Sequence, residues 1–311
     1  MYITKAVDYL NQLQNDIIKL KKEKGAVILS HYYTIPEIQE ISDYVGDSFY
    51  LSKVASEVSE SIIVLCGVSF MGESAKIINP DKTIILPDPQ ADCPMAHMIT
   101  PEKIRSVRER YDDLAVVCYI NSTAEIKACS DVCVTSSNAL KIVEKLPQEN
   151  IFFIPDEHLG RFISQKVPEK NFIFNDGFCH VHADITTELV GQAKKEHPSA
   201  KVLMHPECHL ECLTLSDYTG STSEIINYAK NSAHNEFIVC TEQGILFELT
   251  RQCPDKTFYF VNEKQICPEM KKITLEKLYA TLKAGENNVF INTSVYEKSS
   301  SALQKMLSLA K

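Results

Sequence analysis

Short apolar runs recur along the chain at a regular interval, each entered from a turn and left through a polar or helical stretch. Ile62 to Leu65, Ile151 to Ile154 and Phe237 to Val239 read as strands, and the spacing of apolar residues from Met71 to Ile78 reads as a helix. Three further runs begin alike: PDKTIIL at Pro80, PEKNFIF at Pro168 and PDKTFYF at Pro254, each a turn followed by a strand. They are separated by 88 and 86 residues, and so are Ser42-Asp43, Ser130-Asp131 and Ser216-Asp217. A fixed period of this size marks a repeated architecture. Strands alternating with helices at this spacing predict parallel sheets covered on both faces. The fold class expected is therefore α/β: an αβα sandwich with a short parallel sheet, repeated three times, with active groups at the carboxyl ends of the strands.

The repeat also sets the expected domain limits. Residues 1–98 form the first repeat with an N-terminal helix, 99–184 the second, 185–286 the third, and 287–311 a C-terminal segment packing on the first domain. The stretch from Met1 to Gly25 reads as an amphipathic helix with a basic end at Lys21, Lys22 and Lys24. Ile99-Thr100, Ile185-Thr186 and Ile273-Thr274 precede helical patterns, with threonine as N-cap and Pro101 at a first helical position. No Gly/Ser-rich linker separates the repeats.

Composition narrows the partners. A chain of 311 residues, 44% hydrophobic, buries a large core, and its net charge of -9 would repel a phosphate backbone, so no nucleic-acid partner is expected. The N-terminus lacks the uninterrupted apolar core of a signal peptide, and no apolar run approaches the roughly 20 residues that span a bilayer. A cytoplasmic protein without a membrane partner is the expectation. Eleven cysteines, an odd number on such a chain, point to metal ligation or burial rather than to a disulfide framework.

One cysteine per repeat follows the second set of strands: Cys93, Cys179 and Cys267, spaced 86 and 88 residues apart. If the three repeats are arranged about a pseudo-threefold axis, equivalent positions form a triangle around it and three thiolates can face one point, as an iron–sulfur cluster or a zinc ion requires. A 4Fe-4S cluster with three cysteine ligands keeps one iron open as a Lewis acid. Zinc is chemically acceptable, but the closely spaced cysteine pairs of familiar zinc sites are absent. Among the others, Cys129 and Cys133, like Cys208 and Cys212, sit four apart and share a helix face if helical, although packing is their plainer role. Cys66, Cys118, Cys240 and Cys253 adjoin apolar runs or turns and are expected to be buried.

Eleven residues before each Ser-Asp pair a strand end turns polar, placing His31 with Tyr33, Tyr119 with Asn121, and His205 with Glu207 on common faces. Any one of them alone reads as a satisfied structural residue; threefold recurrence favours a shared site. Glu207 or a histidine can move protons, tyrosines can donate to an oxyanion, and Asn121 can orient a carboxylate or carbonyl. Ser48, Ser136 and Thr222 recur at matching offsets, each opening a helical segment, where amides and a hydroxyl either cap the helix or bind phosphate or carboxylate.

With these residues the chain resembles the quinolinate synthase (NadA) family over nearly its whole length. The matching segments are ILSHYYTIPEIQEISDYVGDS, CGVSFMGESAKII, PDPQADCPMAHMI, YINSTAEIKACSDVCVTSSNA, PDEHLGR, GFCHVHADI, MHPECHLE, DYTGSTSEI and the CPEMKKITLEKLY run. The resemblance implies an enzyme that condenses iminoaspartate with dihydroxyacetone phosphate to give quinolinate, phosphate and water in de novo NAD biosynthesis. It implies three αβα sandwich domains with short parallel sheets related by a pseudo-threefold axis, with the active site at their central junction, and one 4Fe-4S cluster per chain on Cys93, Cys179 and Cys267. Carried over residue by residue, it implies substrate contacts from His31, Ser48, Phe70, Met71, Tyr119, Asn121, Ser136, His205, Glu207 and Thr222, and catalytic roles for Glu207, Tyr33, His31, Tyr119 and His205. Glu207 would assist proton transfer during dehydration, with Tyr33 and His31 on the triose-derived part. Transient contact with the oxidase that produces unstable iminoaspartate is a further expectation. The chain departs from the family's usual residues at Tyr32, Gly72 and Asp92, and Asp92 adds negative charge beside a cluster cysteine. Two other readings stand beside this one: a sensor whose repeats clasp a dicarboxylate while the cysteines report redox state, and a zinc-dependent lyase on the same fold.

Overall fold

A computed structural model describes residues 2–311, so Met1 of the expected N-terminal helix lies outside the described residues. Three parallel sheets of four strands are present, as the pattern of apolar runs predicts. The first contains β1 (Ala26–His31), β2 (Tyr44–Gly46), β3 (Ile62–Cys66) and β4 (Thr83–Ile85) in the order β2-β1-β3-β4. The second contains β5 (Leu114–Tyr119), β6 (Val132–Val134), β7 (Asn150–Ile154) and β8 (Asn171–Phe174) in the order β6-β5-β7-β8. The third contains β9 (Lys201–Met204), β10 (Tyr218–Thr219), β11 (Glu236–Cys240) and β12 (Thr257–Phe260) in the order β10-β9-β11-β12. In each sheet the order reverses between the first and third strands, which opens a crevice at their carboxyl ends. Helices cover both faces, and β1 and β5 are buried along their whole length.

The recurrent Ser-Asp pairs prove to be structural clamps. The amides of Ile28, Val116 and Val202 donate to the carboxylates of Asp43, Asp131 and Asp217 over 2.8, 2.7 and 2.9 Å, and each aspartate amide donates back to the same residue's carbonyl. A cation completes each clamp: Lys21, Arg108 and Lys201, all at 2.8 Å. The lysines of the turn motifs recur in the same way. Lys170 reaches the carbonyls of Leu146 and Gln148, Lys256 those of Ala229 and Ser232, and Lys82 those of Ala55 and Val58, all where a helix ends and its dipole is negative. Thr100, Thr186 and Thr274 cap their helices as the sequence predicts.

The chain forms two compact units. The first runs to Cys93 and resumes with Pro268–Asn292; the second comprises Pro94–Cys267 and Thr293–Lys311, so it holds two of the sheets. Helix Leu275–Ala284 belongs to the first unit, where it packs on helix Tyr2–Lys24, rather than to a domain ending at residue 286. The C-terminal segment divides. Residues 287–289 lie antiparallel beside β4, with Val289 donating to Ile84 over 2.8 Å. Helix Thr293–Leu309, by contrast, packs on helix Ala124–Ala128 and β6 of the second repeat instead of on the first domain, because Ala302, Leu303 and Met306 bury there. Among the described residues no helix is long and apolar enough to cross a membrane.

Candidate active site

In the second unit the polar strand ends follow β5 and β9, at the switch points of their sheets. Beyond β9 the chain turns so that the Glu207 amide donates to His205 Nδ1 over 3.3 Å. The first unit repeats this turn, with the Tyr33 amide donating to His31 Nδ1 over 3.1 Å. A ring nitrogen that accepts an amide proton carries none itself, so both neutral imidazoles keep theirs on Nε2. That nitrogen is then a donor.

Glu207 is the centre of a buried polar group. Its Oε2 lies 2.7 Å from His182 Nδ1 and 3.6 Å from His205 Nδ1, and Tyr119 hydrogen-bonds to the carboxylate. The rings of His182 and His205 stack at 4.7 Å, and His182 Nε2 is 2.9 Å from Thr241 Oγ1. His182, His205 and Glu207 are only 2–3% exposed. Burial pushes the Glu207 carboxyl up, but the charge and hydrogen bond of His182, with help from His205 and Tyr119, hold it below the ordinary range. Nearby Asp156 is pushed well above its ordinary value, first by burial and then by the charge of Glu207. The two carboxyls are thus shifted in opposite directions, Glu207 toward its ionised form and Asp156 toward its protonated one.

The repeat cysteines differ from most of the others. Cys93, Cys179 and Cys267 are half-buried, as is Cys129, whereas the remaining seven are buried. Among the described residues no disulfide joins any of the eleven. Burial pushes the thiols of Cys66, Cys208 and Cys240 upward, which keeps them protonated and unsuited to metals. Neither four-residue pair shares a helix face: Cys129 ends a helix while Cys133 lies in β6, and Cys208 precedes the short helix that holds Cys212. The backbone around two of the half-buried cysteines is fixed by buried acids. Asp156 accepts the amides of Cys179 and Leu159, and Glu242 accepts those of Cys267 and Gly244 over 3.0 and 2.6 Å. Cys179 and Cys267 of the second unit are thus half-buried thiols on pinned backbone, and Cys93 of the first unit is half-buried likewise; thiols of this kind suit iron–sulfur ligation.

Asn121 lies beyond β5, and its Oδ1 is buried without a hydrogen-bond partner among the described residues. Thr222 and Ser48 are the first residues of ten-residue helices, whose caps are their predecessors Ser221 and Asp47. Ser136 differs: it sits in the turn before Asn138, which caps the next helix, so it opens no helix itself. In the first unit His31 and Tyr33 rings meet edge-to-face at 4.5 Å, and the Tyr33 carbonyl accepts from Lys271 over 2.6 Å. Phe70 and Met71 are buried in the first turn of helix Ser69–Ile78. The departure at Gly72 has a local reason, since an added Cβ would come within 2.9 Å of the Leu86 side chain. Asp92 accepts from Ser69 Oγ, and its amide donates to Glu269 over 2.9 Å.

His182, Thr241, Asp156 and Glu242 are absent from the sequence-based set. For His182 a signal exists, Cys179-x-x-His182 on one helical turn, but Ala96 and Met270 occupy the corresponding places after Cys93 and Cys267.

Residues 15–308 match the family described as NadA: Quinolinate synthetase A protein. The chain is 52% identical to a quinolinate synthase of Fusobacterium nucleatum subsp. nucleatum over 96% of its own length and 99% of the relative's. It is 49% identical to one from Clostridioides difficile (strain 630), over 96% and 98%, and 44% identical to one from Aquifex aeolicus (strain VF5), over 97% and 95%. Those matches span both units and every residue placed above, and the chain belongs to the quinolinate synthetase A family.

Proposed function

We propose that the chain is a cytoplasmic quinolinate synthase, which condenses iminoaspartate with dihydroxyacetone phosphate to quinolinate, phosphate and water, and holds a 4Fe-4S cluster on Cys93, Cys179 and Cys267. The observation that carries this reading is the buried Glu207–His182–His205–Tyr119 group beside Cys179 in a member of that family. When bound, such a cluster supplies one iron open as a Lewis acid.

The chain's own residues supply proton transfer and positioning. Ionised Glu207 accepts a proton from carbon or nitrogen as water is eliminated, the Tyr119 hydroxyl holds its carboxylate in place, and the His205 Nε2 hydrogen donates to the departing oxygen. Asn121 orients a carboxylate of the aspartate-derived half, and its buried Oδ1 takes a donor from the ligand. Ser48 and Thr222, at the starts of ten-residue helices, bind phosphate or carboxylate together with main-chain amides, and this answers how an acidic chain holds anions. Ser136 adds a hydroxyl from its turn. His31 donates from Nε2 to the triose-derived half beside Tyr33, while Phe70 and Met71 wall the pocket. Contact with the iminoaspartate-producing oxidase shortens the path of an unstable substrate.

Anaerobic purification followed by iron, sulfide and quinolinate assays tests the proposal, with Cys93→Ser, Cys179→Ser and Cys267→Ser in parallel. Iron and sulfide in equal amounts, lost together with quinolinate formation in each variant, is the expected result. Cluster content unchanged in any one of the three removes that cysteine from the ligand set, and an iron-loaded wild type that forms no quinolinate overturns the activity.

A further inference from the structure

We propose that Cys179, His182 and Glu207 form a second metal site, one that takes a single zinc ion when the cluster is absent. Their ligand atoms all lie within 4.8 Å of one another. Zinc bound at about 2.3 Å to sulfur and about 2.0–2.2 Å to nitrogen and oxygen holds such atoms roughly 3.5 Å apart, so the adjustment is on the order of 1 Å. Cys179 is the N-cap of helix His180–Ala183 and His182 lies on its single turn, which places thiol and imidazole on one face. Glu207 arrives from beyond β9 with its Oε1 buried and without a hydrogen-bond partner among the described residues.

The surroundings are those of a metal site. A metal-bound histidine usually donates its other ring nitrogen to an oxygen that fixes the ring, and Thr241 Oγ1 stands 2.9 Å from His182 Nε2. On binding, the thiol proton and the His182 Nδ1 proton leave to solvent, the ring keeps its Nε2 proton, which Thr241 accepts, and Glu207 exchanges its contact with Nδ1 for one with zinc. Three protein ligands of sulfur, nitrogen and oxygen leave a fourth position to water, as in open zinc sites. None of this requires Cys93 or Cys267. Zinc and cluster exclude each other because both claim Cys179, a competition that rests on the function proposed above, whereas the zinc site itself does not.

The full-length chain, stripped of metal by chelation under nitrogen, is titrated with zinc against a competing chelator, and with cobalt(II) for its thiolate charge-transfer band. One zinc per chain is expected, with the cobalt band present in the wild type, Cys93→Ser and Cys267→Ser at unchanged affinity. Cys179→Ser abolishes the band. His182→Ala and Glu207→Gln weaken binding by about 100-fold or more, and Thr241→Val, which keeps all three ligands, by about 10–100-fold. Zinc loaded beforehand blocks cluster assembly from iron and sulfide. Loss of zinc in Cys93→Ser or Cys267→Ser would place the ion on the three repeat cysteines and overturn the site, as would full affinity in both His182→Ala and Glu207→Gln. A chain that assembles a cluster but takes no zinc sinks this inference alone; one that takes zinc but never iron sinks the proposed cofactor alone.

Discussion

Glu207 carries its negative charge among two imidazoles and a phenol, and an isosteric glutamine in its place would keep the volume while losing both charge and basicity. Glu207→Gln is expected to lower the rate of quinolinate formation by about 10²–10⁴-fold, measured at saturating substrates. Glu242 works differently, through the backbone. Glu242→Ala leaves the amides of Cys267 and Gly244 without their acceptor, at about 1–3 kcal/mol for each buried donor. Lower stability to denaturant, together with faster loss of iron to a chelator, is the expected outcome, and Glu242→Gln, which keeps one acceptor oxygen, should restore part of both. The sequence made Glu207 and His205 visible because they occupy a position that recurs in every repeat. Asp156 and Glu242 correspond to Val68 in the first repeat, and His182 to Ala96, so side chains that break the symmetry were hidden by the comparison that revealed the rest.

Among the secondary-structure elements, the recurrence that first suggested a shared site divides into two kinds. The Ser-Asp pairs and the turn lysines recur because each sheet needs the same two fastenings, a carboxylate joining the first strand to the loop before the second and an ammonium closing a helix end. Replacing Lys170 by methionine keeps the apolar stem and removes the contacts to Leu146 and Gln148, and about 1–3 kcal/mol of stability should go with them in chemical unfolding. Asp217 predicts a pH effect. Burial pushes its carboxyl up, but Lys201 and the Val202 amide bring it below its ordinary value. A group lowered on folding stabilises fully above its unfolded value near about pH 4, and that contribution disappears as pH falls through the lower folded value. Unfolding free energy measured from about pH 6 down to about pH 3 should fall less steeply in Asp217→Asn than in the wild type. Strands and threonine caps were legible because period and capping chemistry are local; Ser136 was not, since one turn of extra loop shifts the helix start to Ala139 without disturbing the spacing.

At the scale of the whole molecule, the C-terminal helix matters more than its amphipathic pattern suggests. Leu303 is fully buried against the second repeat, and Leu303→Ala should cost about 2–5 kcal/mol, seen as an earlier unfolding transition. Its partner could not be read from the sequence, because an apolar stripe says that a helix is covered and leaves open by what. The division of the chain has a further consequence at the ribosome. The first unit lacks helix Leu275–Ala284 and the strip at 287–289 until the intervening segment 94–267 has been synthesised. At about 5–20 residues per second that delay is roughly 10–40 s. Throughout it the nascent chain presents the open edge of β4 and the uncovered face of its N-terminal helix, an exposed strand edge and apolar stripe of the kind that promote aggregation before folding is complete.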